Sequence, residues 1–102
     1  MPEREYVLSL DLSARIRCYH RTEGGIVTGF TVQLESQSGD SWQPILRYDT
    51  AHGFAHCDRH HKDGTVTKTA LNLAFGEART FAELDIRRHW KEYIRMFLEG
   101  RQ

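Results

Sequence analysis

The residues with the most chemical capacity lie close together, between positions 47 and 61: Arg47-Tyr48-Asp49-Thr50-Ala51-His52-Gly53-Phe54-Ala55-His56-Cys57-Asp58-Arg59-His60-His61. Four of the six histidines of the chain fall in this stretch, with two aspartates. Alternate residues of a strand share a face and stand about 6.5–7 Å apart at Cα. Read as a strand, 54–61 therefore puts His56, Asp58 and His60 on one face, and Ala55, Cys57, Arg59 and His61 on the other.

Two chemistries suit that face. In the first, His56, Asp58 and His60 converge on a divalent metal, with Asp49 or His52 from the preceding turn completing the shell. Imidazole and carboxylate suit Zn, Mn, Fe or Ni, and an open coordination position would activate water. In the second, no metal is needed. A histidine titrating near neutrality serves as general acid or base, an aspartate orients it, and a cation holds a phosphate. The catalytic set is then His56, Asp58, His60 and Arg47, with Arg59, Lys62 and Lys68 as further phosphate ligands. The plainer alternative is a solvent-facing strand whose polar residues do no more than face water.

The elements that must position these residues follow from periodicity. From Tyr6 to Cys18 apolar residues alternate with polar ones, the period of a half-buried strand. The run is long for one strand, so a bend or bulge is expected within it. Gly24-Gly25 separates it from a second alternating run over Ile26 to Glu35, a hairpin pattern. A turn at Ser36–Ser41 leads to a third strand, Trp42 to Tyr48, whose Pro44 suggests an edge or an early strand position. Strands at 54–61 and 66–71 flank Asp63-Gly64, a two-residue hairpin signal. That turn would pair Asp58 with Thr69 and His60 with Thr67, and place Val66 and Ala70 on the core side with Cys57. The C-terminal third changes period. Phe75, Ala78, Ala82, Ile86, Trp90, Tyr93 and Phe97 recur every three or four residues, widened by Leu84, Ile94 and Leu98. This predicts an amphipathic helix over about 76–99, capped by Gly100.

The fold class expected is α+β: one domain over 1–102, an antiparallel meander-like β-sheet of about five strands within about 6–71, and one long C-terminal helix packed on one face. At 1.5 Å per residue the helix is roughly 36 Å long, against about 20 Å for a five-stranded sheet. It would overhang the sheet and be available to a second copy, so a homodimer is expected. The formal net charge is zero, which argues against a strong nonspecific nucleic-acid binder but not against a local basic stripe. Cys18 and Cys57 read as free thiols of a cytoplasmic protein, with a single disulfide as the alternative. Cys57 reads as a buried small hydrophobe. No run is long and apolar enough to span a membrane, and no Walker motif or nucleophile elbow is present.

Arg47-Tyr48-Asp49-x-Ala51-His52, followed by the cluster from His56 to His61, resembles the signature of TumE-type toxins of bacterial toxin–antitoxin pairs and related small bacterial domains of unknown function. The likeness covers about a quarter of the chain. The segment between Asp49 and His56 is shorter than that family's pattern, and Cys57-Asp58-Arg59 is not typical of it. The resemblance implies a growth-inhibiting cytoplasmic protein with a cognate antitoxin and RNA as its target. It assigns no catalytic residue. The alternatives are a noncatalytic metal-binding or interaction module that dimerises through the helix, and a small-molecule enzyme with an apolar pocket lined by Tyr48 and Phe54.

Overall fold

The computed structural model describes residues 2–100. Six strands form one antiparallel sheet in chain order: β1 (Glu3–Asp11), β2 (Ala14–Glu23), β3 (Ile26–Ser38), β4 (Ser41–Asp49), β5 (His56–His60) and β6 (Val66–Ala70). A single helix, α1 (Phe75–Leu98), closes the chain and packs on β3 and β4. The expected α+β meander with a C-terminal helix is therefore present, with six strands in place of five.

The additional strand comes from the first alternating run, which is two strands and not one bent strand. Asp11 and Ala14 pair across a tight turn at Leu12-Ser13, and the Asp11 carboxylate accepts the Ser13 backbone N–H at 2.7 Å. The even-numbered apolar residues Leu8 and Ile16 face each other in this hairpin. The two-residue turn pairs Asp11 with Ala14, and a register shift between Ser9 and Asp11 restores the even-with-even pairing of Leu8 and Ile16, so the alternation runs through the turn without a break in phase. Leu12, whose parity places it with the core, is instead 96% exposed at the tip.

The core lies between α1 and one sheet face. Ile16, Cys18, Phe30, Val32, Leu34, Leu46 and Tyr48 meet Ala78, Ala82 and Ile86. The small residues Ala78 and Ala82 let the helix approach β3 closely, and both are fully buried. Phe75, Trp90, Tyr93, Ile94 and Phe97 pack around this centre, while Leu84 and Leu98 are exposed. Gly100, at φ +72°, follows the helix as expected, and its N–H donates to Phe97 O. Pro44 lies on an internal strand, but in the part of β4 that β5 does not reach, since β5 pairs only with Leu46–Asp49. Its missing donor costs no ladder bond there. Cys18 and Cys57 are free. Among the described residues no helix is long and apolar enough to cross a membrane.

The β5–β6 register differs by one from the expected one. His60 pairs with Val66, Asp58 with Lys68 and His56 with Ala70. The turn is not a two-residue loop: Gly64 N–H donates to His61 O, Gly64 sits at φ +91°, and His61 N–H donates to Thr65 O. This is the three-residue hairpin loop with a glycine bulge. A one-residue slip moves every side chain of the strand to the other face. Val66, Lys68 and Ala70 thus join His56, Asp58 and His60, whereas Thr67 and Thr69 turn toward the helix side.

Candidate functional site on the open sheet face

The face that α1 leaves uncovered is polar, and its register sets side chains in rows across the sheet. One row runs Tyr19, Thr31, Asp49, His56; the next runs Arg17, Gln33, Arg47, Asp58, Lys68. Between the rows a chain of polar contacts crosses five strands. Arg15 and Arg17 donate to Glu35 at 2.6 and 3.3 Å, and Gln33 Nε2 donates to Glu35 at 2.6 Å. Arg47 Nη1 reaches Gln33 Oε1 at 3.3 Å, and its Nε reaches Asp49 Oδ2 at 2.5 Å. His56 Nε2 lies 2.9 Å from Asp49 Oδ1 and 3.6 Å from Asp58 Oδ1, and Lys68 Nζ closes the chain 3.1 Å from Asp58 Oδ1.

Burial makes these contacts matter. Gln33, Glu35, Asp49 and His56 are all buried on a face with no covering helix, because the longer arginine side chains and the 50–55 loop lie over them. His52 and Phe54 set their rings 5.4 Å from His56, leaving it 1% exposed. For Asp49, burial alone raises the carboxyl pKa; the Ala51 N–H, the Arg47 hydrogen bond and charge, and His56 outweigh it and hold it below the usual range. Glu35 follows the same pattern: burial raises it, and the Arg15 and Gln33 donors bring the net shift down.

The two site histidines on β5 differ. His56 directs Nε2 at Asp49 and Nδ1 at Phe54 O, 3.2 Å away. Both ring nitrogens are thus engaged, and the ring ties the loop to the sheet. His60 makes no side-chain hydrogen bond within the described residues. Burial lowers its pKa below the ordinary histidine value, with Arg47 and His61 adding to the effect and Asp58 opposing it. Of the two, His60 has the free ring for proton transfer.

The structure therefore brings together Arg47, Asp49, His56 and Asp58, with His60 further along the same strand face and His52 exposed above the ring of His56. Among the described residues no group of three His, Cys, Asp or Glu side chains stands in metal-holding geometry. Of the other cations considered as phosphate ligands, Lys68 belongs to this face. Arg59 lies on the helix side, stacked 5.2 Å from the Tyr93 ring centroid, and Lys62 caps α1 through Leu98 O at 3.1 Å.

Beside the Asp49–His56 pair is a cavity of about 300 Å³, walled by Tyr19, Arg21, Thr31, Arg47 and Thr50. Arg21 donates to Thr28 Oγ1 and O and pairs with no carboxylate among the described residues. Gly29 makes room for it: a Cβ there would lie 3.2 Å from Arg21 Nη2. Tyr19, Arg21 and Gly29 were outside the sequence-based site. The signals for them were the odd-numbered arginines of β2, all on the polar parity, and a glycine inside a strand, which marks a close approach.

A family model, Domain of unknown function (DUF7718), matches residues 1–102, and the chain belongs to that family. No curated protein matches the chain, and neither does any solved structure. The likeness to small domains of unknown function is thus established at the level of this family, and the toxin part of the TumE resemblance is carried forward as a proposal.

Proposed function

We propose that this DUF7718 domain is a TumE-like toxin that binds RNA on its open sheet face and cleaves it there. The observation that carries the reading is the cavity walled by Arg21 and Arg47, in which Arg21 has no carboxylate partner among the described residues. From β2 to β6 the face carries Arg15, Arg17, Arg21, Arg47 and Lys68 against Glu35, Asp49 and Asp58, although β1 adds Glu3 and Glu5 at the far edge. With those carboxylates counted the face carries no net basic excess, so a backbone contact rests on Arg21, which has no carboxylate partner among the described residues. Tyr19 offers a ring for a base to stack on.

In the chemical step, neutral His60 removes the proton from a ribose 2′-hydroxyl. The 2′-oxygen attacks the adjacent phosphorus, and the bond to the 5′-oxygen breaks. The leaving oxygen takes a proton from solvent water, giving a 2′,3′-cyclic phosphate and a 5′-hydroxyl, and His60 returns its proton to solvent. Arg47 and Lys68 offset the charge that develops on the phosphoryl oxygens. His56 and Asp49 position Arg47 and do not transfer protons.

The test separates binding from cleavage. Expression of the wild type should slow bacterial growth, and His60→Ala should relieve it while the purified variant still binds RNA. Arg21→Ala with Arg47→Ala should abolish binding. Normal growth together with no RNA binding at low salt would end this reading. Binding without cleavage would favour the second reading, a noncatalytic RNA-binding module, which the fully engaged ring of His56 supports.

A metal role rests on the spacing of Asp49, His52, His56, Asp58 and His60 in the sequence, since no three of them stand in metal-holding geometry among the described residues. Its ligands would be drawn from that set. Metal content of the untagged protein beside Asp58→Asn/His60→Ala tests it: near-stoichiometric Zn, Mn, Fe or Ni lost in the variant would support it, and none in either would remove it.

A further inference from the structure

A second cleft lies on the opposite side of the sheet, independent of the RNA reading. Because α1 packs on β3 and β4, the β5–β6 hairpin extends past the helix flank. The gap between them has a volume of about 390 Å³, within the range of small-ligand pockets. Its walls are apolar and aromatic: Tyr48, Leu71, Phe81 and Tyr93. Phe81 is 46% exposed at the lip and meets the Tyr48 ring edge-on, 6.1 Å between centroids.

The polar groups divide between two ends. On the helix side, the hydroxyls of Tyr48 and Tyr93 both donate to Asp85 Oδ2, each at 2.6 Å. Burial and this bond push both phenols well above their usual pKa, so they remain donors. On the hairpin side stand Arg59 and His61. His61 shares a 2.7 Å hydrogen bond with Thr67. Arg59 stacks over Tyr93 and has no carboxylate partner among the described residues. Stacking leaves the guanidinium edge free to donate in a bidentate fashion.

We infer that this cleft binds a small amphipathic anion, an aromatic carboxylate, with its ring between Phe81 and Leu71 and its carboxylate on Arg59. The Asp85 charge excludes the carboxylate from the helix end, which fixes the orientation. An apolar body of modest size with one anionic group matches the Arg59 guanidinium and the aromatic walls.

The test is a two-dimensional NMR titration of the full chain with 3-phenylpropionate and, separately, its neutral amide. Saturable shifts are expected at residues 57–59, 67–71, 81 and 93, with the acid binding about tenfold tighter than the amide, the worth of one charged hydrogen bond. Arg59→Gln should remove that preference. Phe81→Ala, at an exposed position that leaves folding intact, should weaken acid and amide alike. Arg47→Gln, on the open face, should change neither. Several results would overturn the proposal: no saturation at roughly 10 mM, equal affinity for acid and amide, shifts confined to the open face, or an unchanged preference in folded Arg59→Gln. Broadening of the same residues that depends on protein concentration and not on ligand would assign the cleft to a second copy of the chain.

Discussion

Asp49 accepts three donors, Arg47 Nε, Ala51 N–H and His56 Nε2, while almost wholly buried. Removing its charge leaves an arginine and an imidazole facing a poorer acceptor. Asp49→Asn should cost about 2–3 kcal/mol in urea unfolding, the range for charged hydrogen bonds. The acid limb of stability follows from the same contacts. Asp49 and Glu35 have folded-state pKa values below their unfolded ones, so their contribution is complete above the unfolded carboxylate range, about 4. It is lost as pH falls through the folded values. Asp49→Asn should flatten that limb, and an unchanged slope would mean that the carboxylate is not held as described. His60 has the same sign at a higher pH. Its folded pKa is lowered, so below about 6.5 the unfolded state takes up the proton first and stability declines. Folding measurements of His60→Gln from pH 7 to 5 should show a shallower decline, the remainder coming from His20, whose pKa burial also lowers.

Among the elements, the tight β1–β2 hairpin and the helix seam respond most differently to substitution. Leu12 projects from the turn into solvent, so Leu12→Lys should change stability by no more than about 0.5 kcal/mol. A residue in the core of one bent strand would cost several times more, so thermal unfolding of this variant distinguishes the two. Ile86 is completely buried where the helix meets the sheet, and Ile86→Ala should cost about 2–5 kcal/mol through lost burial and the cavity left behind. The helix ends rely less on side chains. Its N-terminal neighbour Ala74 makes no side-chain cap, and the Thr80 hydroxyl donates back to Gly76 O within the helix. The apolar stripe, which keeps phase back to Phe75, sets the helix start.

For the molecule as a whole, α1 divides the sheet into a covered face and an open face. RNA binding through Arg21, Arg47 and Lys68 should weaken with salt, with a log–log slope of about −2 for three phosphates on a single strand. Gly29→Val changes no charge but fills the space that Arg21 occupies beside β3. It should reduce RNA affinity about tenfold with an almost unchanged fold, since one phosphate contact is worth on the order of 1.4 kcal/mol. Equal affinity in fluorescence anisotropy would place the phosphate contacts elsewhere on the face. Leu84 and Leu98 are exposed on the helix and are where the homodimer expected from the sequence would form, which sedimentation of the wild type beside Leu84→Glu tests.

Local periodicity was enough to determine the strand-then-helix order, the faces of β5 and the phase of α1, because each depends only on neighbours along the chain. The sharing of one face by His56, Asp58 and His60 belongs to that class. Tertiary structure decided what pattern cannot hold. The register shift between Ser9 and Asp11 keeps apolar parity in phase across the turn at Leu12-Ser13, so the turn left no mark in the alternation. The bulge at Gly64 moved β6 by one residue because two hairpin geometries suit Asp63-Gly64, and only the packed sheet selects between them. The joining of Arg21 and Tyr19 on β2 to Asp49 on β4 depends on strand pairing across β3, a relation between residues nearly thirty positions apart. Which of the two histidines keeps a free ring was decided by the 50–55 loop, which closes over His56 and leaves the His60 ring without a hydrogen bond among the described residues.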